Sequence, residues 1–393
     1  LHEVADVPGY TVHLTLNRQL QQAAFEALDG KEGTIVVIDV HSGAVLAMVS
    51  TPAFDPNAFA RGIKADEWRS LIKDKLRPLS NRAIQGQYPP GSTFKIIIAI
   101  AGLEEGVLQP ESRISDPGFY YFGNRAFRDW KKEGHGSVDL HKALVESCDV
   151  YFYQAGQRVG IDRIAKWARA FGLGEKSGAA FDDEKSGIVP DSEWKRKRFR
   201  QPWFPGETLS VAIGQGYLTV TPLQMANMMA AVANGGTLYR PYMVKRVESV
   251  EGALVQEYGP EKIRTIPLKP ETLDRVRNAL WDVVKGAGGT GGAARTPIVD
   301  IAGKTGTAQV AEMRGAYLKS EQLAYFIRDH AWFVAYAPAQ DPQIAIVTLI
   351  EHGGHGGSAA APLAKKVIEK YVEARKQQAN QQQARVAGEV RAD

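Results

Sequence analysis

Two hydrophobic periods run along the chain. Residues 34–39 and 44–50 are β-branched and aliphatic runs that meet at Val40-His41-Ser42-Gly43, which predicts a tight hairpin with Gly43 at positive φ. Helical spacing follows at 65–76. After the breaker cluster Gln87-Tyr88-Pro89-Pro90-Gly91, residues 92–105 predict a helix that is apolar nearly all round and therefore buried. Amphipathic helices are expected at 141–160 and 162–171. A further helix at 221–234 is opened by Thr221-Pro222 and stopped by Gly235-Gly236. The helix at 269–284 is ended by the glycine-rich stretch 286–292. Short strands are expected at 308–310, 331–336 and 344–350, and a closing helix at 362–375. This order predicts an α+β fold: an antiparallel sheet built from both chain ends, with a large helical insertion. Residues 1–375 are expected to form a single domain, and the Gln/Asn-rich 376–393 a polar tail that frays.

Composition narrows the class without naming a chemistry. Of 393 residues, 44% are hydrophobic and 23% charged, which excludes wholesale disorder and a collagen-like chain. A single cysteine excludes an intrachain disulfide framework. The net charge of +4 is too small to make nucleic acid the main partner. The longest apolar run, 96–103, is about half of a bilayer span. The chain opens on Leu1 rather than Met, which reads as an excised piece, so the lack of a span or signal peptide within it says nothing about the longer protein.

Ser-x-x-Lys occurs at Ser70/Lys73, Ser92/Lys95 and Ser192/Lys195, so context must choose among them. Ser70 sits in a charged helix, and Ser192 follows Asp191 at a helix start. Ser92 follows Pro-Pro-Gly at the head of an apolar helix, and Lys95 lies one turn on, among Ile96, Ile97, Ile98 and Ile100. A serine nucleophile needs a base within reach, and desolvation lowers a lysine pKa so that a neutral amine can accept the proton. An N-capping serine with a snorkelling lysine fits the same residues, and they leave both readings open. Ser-x-Asp appears at Ser137/Asp139 and Ser147/Asp149. Lys-Ser/Thr-Gly appears in a turn at Lys185-Ser186-Gly187 and beside a strand at Lys304-Thr305-Gly306. A glycine in that strand would let a substrate backbone lie close. Gly303-Lys304-Thr305 is not a phosphate loop, because Ile298 stands where that pattern needs its first glycine.

Taken in order, Ser92-Thr93-Phe94-Lys95, Ser147-Cys148-Asp149 and Lys304-Thr305-Gly306 closely resemble the motif trio of penicillin-binding transpeptidases and class A β-lactamases. Five longer stretches narrow the resemblance to the monofunctional class B, elongation-type penicillin-binding protein 2 family. They are 81–92, Arg128-Asp129-Trp130-Lys131-Lys132, Gly134-His135-Gly136, Gly214-Gln215-Gly216-Tyr217 and 303–309. The resemblance implies a transpeptidase or serine β-lactamase-like fold, Ser92 as nucleophile and Lys95 as base. Ser147 and Asp149 would relay protons, although many relatives carry Asn at the position of Asp149. Lys304 would supply positive charge, Thr305 and Thr307 would bind a carboxylate beside Gly306, and the N–H groups of Ser92 and Thr307 would form an oxyanion hole. It also implies crosslinking of peptidoglycan stem peptides on lipid II-derived glycan, and acylation by β-lactams. The implied partners are a lipid II polymerase, a rod-shape scaffold protein and the bacterial inner membrane, with the catalytic domain in the periplasm. Catalysis would need no cofactor. Hydrolysis of the acyl-enzyme by a carboxypeptidase or β-lactamase, and a β-lactam sensor without turnover, are the other readings.

Asp116, Asp129, His135 and Cys148 have no standard metal-finger spacing, and by residue type alone they read as solvated acids, a loop histidine and a buried thiol. The resemblance implies a structural zinc on these four. Cys148 with His135 or His141 also allows a thiol protease, although the flanking motif residues turn the thiol away from Ser92. Lys195-Arg196-Lys197-Arg198 with Arg200 predicts a solvated helix face that could touch anionic substrate or lipid headgroups.

Overall fold

The computed structural model of the protein describes residues 8–310 and 324–389. Strands β1 (Gly33–Asp39), β2 (Val45–Thr51), β3 (Ala302–Ala308), β4 (His330–Ala337) and β5 (Ile344–Ile350) form one antiparallel sheet in the order β3-β4-β5-β1-β2. Both chain ends therefore supply strands, as the hydrophobic pattern predicted. The central strand β5 is buried at every position, which requires cover on both faces. Alternation along β1 divides the core accordingly: Ile35 and Val37 join one cluster, Val36 and Ile38 the other. The first face is covered by α1 (Arg18–Leu28) through Leu20, Ala24 and Leu28, and by the closing helix through Leu363, Val367 and Ile368. Against the second face lies the helical region. It comprises α2 (Ala65–Lys73), α3 (Lys95–Glu104), α4 (Leu140–Val145), α5 (Asp149–Val159), α6 (Ile161–Ala170), α7 (Ser192–Phe199), α8 (Pro205–Ala212), α9 (Pro222–Ala233) and α10 (Pro270–Lys285), and α11 (Ala361–Glu389) closes the order. The exposed α2 contributes nothing buried, whereas α9 is buried at every position.

Four expectations need correction. The helix expected from 92 begins as a 3-10 turn, Gly91–Phe94, and only then becomes α3. The helix expected over 141–160 is broken between α4 and α5, because Ser147 takes φ 59° and Cys148 caps a fresh helix start. Strand β3 begins at Ala302, so Lys304-Thr305-Gly306 lies inside it rather than before it. The closing helix extends past 375 to Glu389, since Gln, Ala and Arg favour helix even without apolar periodicity. Residues 390–393 lie outside the described residues. A separate three-stranded sheet, in which Thr11–Leu14 pairs with Val244–Glu248, was not foreseen.

Candidate active site

Ser92 lies half-buried in the 3-10 turn that leads into α3. That turn is pressed onto the edge strand β3. A Cβ on Gly306 would fall 2.8 Å from Thr93 Cγ2 and 3.0 Å from Pro90 O, and one on Gly91 would fall 2.5 Å from Thr307 O. Glycine at both positions is what lets the two backbones meet. Gly91 N–H donates to Gly214 O at 3.0 Å, and Trp332 Nε1 donates to Pro89 O at 3.0 Å.

Lys95 is fully buried one turn on. Its ammonium donates to Ser147 O at 2.8 Å, Ser147 Oγ at 3.3 Å and Asp149 Oδ1 at 2.5 Å. Three partners account for all three N–H groups, so the resting lysine is directed at the Ser147 turn. Catalytic hydrogen bonds often align only once substrate is bound. Burial pushes the Asp149 carboxyl up; Lys95 opposes this and Asp129 reinforces it.

Ser147 carries the strain of this region, a non-glycine residue in the left-handed region at φ 59°. The turn is held from outside. Trp130 Nε1 donates to Ser147 O at 3.1 Å and to Glu146 O at 3.2 Å, and Trp130 N–H donates to Asp149 Oδ2 at 3.2 Å. Asp129 Oδ2 accepts from Asp149 N–H at 2.7 Å and Val150 N–H at 3.1 Å, capping α5.

Opposite lies β3, whose far edge has no strand partner among the described residues. Lys304 is buried, and its ammonium is held well below the ordinary lysine range by desolvation and then by Lys95. Thr307 O accepts from Gln215 Nε2 at 3.4 Å, so the Thr307 backbone faces the open edge beside Gly91. Thr305 Oγ1 pairs with Thr290 Oγ1 at 2.7 Å. Trp130, Thr290, Gly214 and Gln215 went unassigned in the sequence reading. Three of them sit in stretches quoted for the resemblance, which is the only signal that singled them out.

Asp116, Asp129, His135 and Cys148 come together, all buried, with one donor atom of each within 4.8 Å of the others. His135 Nδ1 is 2.7 Å from Asp116 Oδ2 and 3.5 Å from Asp129 Oδ1; Cys148 Sγ is 3.3 Å from Asp116 Oδ2. Burial and the two carboxylates push the Cys148 thiol far up. Burial disfavours a charged His135, but hydrogen bonds to Asp129 and Asp116 outweigh it and raise the imidazole. Burial likewise opposes ionisation of Asp129, yet the His135 contact brings that carboxyl down to about 2.

The other motif copies lie elsewhere. Ser70 and Lys73 are exposed on α2. Ser192 Oγ donates to Asp162 Oδ2 at 3.0 Å. Asp139 caps α4 through Lys142 N–H at 2.9 Å. Lys185-Ser186-Gly187 is irregular chain that follows a turn at Asp182-Asp183, and Ile188 after it bridges to Thr219. The basic run is not wholly solvated. Lys195 is buried, bonded to Glu207 and, at 3.0 Å, to Tyr217 Oη, beneath the rings of Phe199, Phe204 and Tyr217.

The chain is 41% identical over 383 residues to the peptidoglycan D,D-transpeptidase MrdA of Haemophilus influenzae, covering 94% of this chain and 57% of that protein. It thus spans less than two thirds of that relative. Among solved structures, Pseudomonas aeruginosa PBP2 in complex with WCK 5153 superposes with a TM-score of 0.82 at 42% identity, over 93% of this chain and 76% of that one. Helicobacter pylori PBP2 in complex with MreC gives 0.81 at 36% identity, over 92% and 64%. Residues 33–369 match the family described as the penicillin binding protein transpeptidase domain, and the chain belongs to that family.

Proposed function

We propose that this chain is the catalytic part of a peptidoglycan D,D-transpeptidase, with residues 1–375 as the transpeptidase domain and 376–393 as its polar extension. The carrying observation is that the turn bearing Ser92 packs on the edge strand bearing Lys304, while Lys95 after it holds Ser147 and Asp149. Ser92 Oγ attacks the carbonyl carbon of a D-Ala-D-Ala bond while Lys95, having passed one proton to the Asp149 carboxylate it already contacts, takes the hydroxyl proton. The oxyanion is received by the N–H groups of Ser92 and Thr307. The C–N bond breaks, the departing D-Ala amine takes a proton relayed through Ser147, and an acyl-Ser92 ester remains. A stem-peptide amine then attacks the ester and gives up a proton to the same relay, and Ser92 Oγ leaves protonated. The substrate carboxylate, together with loss of the Lys95 charge that now opposes it, favours a protonated Lys304, which then offers it a positive field, and Thr305 and Thr307 donate to it beside Gly306. When Thr290 donates to Thr305, the Thr305 hydrogen stays free for that purpose.

The residues also fit a structural zinc at Asp116, Asp129, His135 and Cys148. Bonds of ~2.0–2.3 Å to four tetrahedral donors set ligand separations on the order of 3.5 Å, which small shifts within the present 4.8 Å span would reach, and the imidazole and thiol protons now facing the carboxylates are those a cation replaces. Four protein donors leave no open position for substrate. Catalysis itself needs no cofactor. The family reading adds an anchor in the bacterial inner membrane outside this chain, a periplasmic active site, a lipid II polymerase, and a scaffold of the kind bound by the Helicobacter pylori relative.

The test is intact mass after exposure to a penicillin. Ser92→Ala abolishes the adduct, whereas Ser70→Ala and Ser192→Ala retain it. An adduct that persists for hours supports transpeptidation; loss within seconds with release of penicilloate favours a hydrolase. Labelling of Ser92→Ala ends the assignment.

A further inference from the structure

Behind the Ser92 turn lies a buried polar chain that the proposed chemistry does not use. Tyr88, four residues before Ser92, donates its hydroxyl to Glu351 Oε1 at 2.6 Å. Glu351 follows β5, and its Oε2 lies 3.2 Å from Arg82 Nη2. Arg82 also donates to Leu76 O at 2.5 Å. Relative exposures of 2% for Arg82, 3% for Glu351 and 6% for Tyr88 put the whole chain out of solvent. Buried charges of this kind need paired partners, and Glu351 has several. Burial disfavours its ionisation, but the Tyr88 hydrogen bond and the Arg82 charge outweigh that and keep the carboxyl below its ordinary range. The Tyr88 ring packs edge-on against His330 and Trp332. Its backbone is paired in both directions with Val220, at 3.0 and 2.9 Å. The next residue, Pro89, is held by Trp332 Nε1.

We propose that the Tyr88–Glu351–Arg82 chain is a positioning device for the nucleophile: it fixes the Pro89–Gly91 approach to the Ser92 turn from the central strand of the sheet. The proposal rests on Ser92 being the acylated residue. Pro89 and Pro90 have no N–H to donate, so the segment has few backbone hydrogen bonds of its own. Its carbonyls are met by Trp332 Nε1 at Pro89 and Thr93 Oγ1 at Pro90, and its ends by Tyr88 on one side and Gly91 N–H on Gly214 O on the other; of these holds, the Tyr88 hydroxyl is the one that ties the segment to the buried charges. An error of about 1 Å in placing a reacting group can cost on the order of 10²-fold in rate, which makes a hydroxyl four residues from the nucleophile matter.

The test is Tyr88→Phe, which keeps the ring against His330 and Trp332 and removes only the hydroxyl. Acylation by a fluorescent penicillin is followed at several concentrations beside thermal melting. The maximal acylation rate is expected to fall roughly tenfold or more with an unchanged half-saturating concentration. Glu351→Gln retains an acceptor for Tyr88 while removing the nearer of the two carboxylates around Arg82, with only Glu32 left at 3.9 Å. It lowers the melting temperature but keeps the maximal acylation rate within about threefold of the parent. Parental acylation by Tyr88→Phe overturns the proposal, as does a loss of rate in both variants that simply follows melting temperature. Peptide mapping keeps the underlying assignment separate, since an adduct away from Ser92 overturns both.

Discussion

Replacing Gly214 by alanine tests how closely the backbone around Ser92 is set. Gly214 has φ 74°, and a Cβ there would lie 2.0 Å from Gly91 O. The obstructing atom is a carbonyl in the turn carrying Ser92, so no flexible side chain can yield. Restoring an ordinary carbon–oxygen separation requires a shift of about 1 Å, and it also stretches the 3.0 Å bond from Gly91 N–H to Gly214 O. Gly216 is the internal control. It has the same φ of 74°, but its Cβ would stand 3.4 Å from Ser210 Cβ, an ordinary contact. Both substitutions carry the left-handed strain of about 1–2 kcal/mol. Only Gly214→Ala moves the nucleophile. Acylation by a fluorescent penicillin should be near parental for Gly216→Ala and slowed about 10- to 100-fold for Gly214→Ala, with melting curves run alongside. Equal acylation rates in the two variants would refute the argument, because the clash would then have been absorbed without moving Ser92.

Three other outcomes are expected. Burial and His352 hold the His330 imidazole down to about 4 from an unperturbed 6.5, so the unfolded chain binds the proton first as pH falls. Stability is thus full above about 6.5 and declines towards pH 4, by about 2 kcal/mol between roughly pH 7 and 5; in pH-dependent denaturation, His330→Asn should flatten that slope relative to the parent. Elemental analysis of protein purified without affinity-column metal should find about one zinc per chain. A chelator should then lower the melting temperature and slow acylation, and a freely titrating Cys148 with no chelator effect would count against the metal. Lys195→Ala should lower the melting temperature more than Lys197→Ala, because Lys195 is buried on Glu207 and Tyr217 whereas Lys197 meets Glu193 on an exposed helix face.

The parts of the site readable in the sequence are those whose neighbours in space are also neighbours in the chain. Ser92 and Lys95 lie one helical turn apart, after a breaker cluster that any helix start would need. The hairpin β1–β2 and strand β5 were equally plain, because alternation and burial are local patterns. Hydrophobic spacing continues across Ser147 and predicts a helix there; the hydrogen bonds of Lys95, Trp130 and Asp129, from other segments, stabilise the break. Gln215 on Thr307 and Tyr88 on Glu351 join residues too far apart in sequence for any periodicity to pair them. Lys195 misled for a related reason: a basic run predicts a wet face until a carboxylate from the next helix turns one member inward.

Assembly of the sheet from both chain ends bears on how the protein is made. Val36 pairs with Val347, and β5 separates the β1–β2 hairpin from β3 and β4. During synthesis the hairpin emerges early and must wait, one long edge unsatisfied, for nearly the whole remaining chain. Pairings of such sequence separation are slow because a large loop must close before they form. Until β5 inserts, the exposed edge of Ile35, Val37 and their neighbours is a template for the wrong partner. A truncation that ends before Ile344 would therefore remove the middle of the sheet rather than trim its rim. Such a fragment should aggregate rather than fold to a smaller acylating unit.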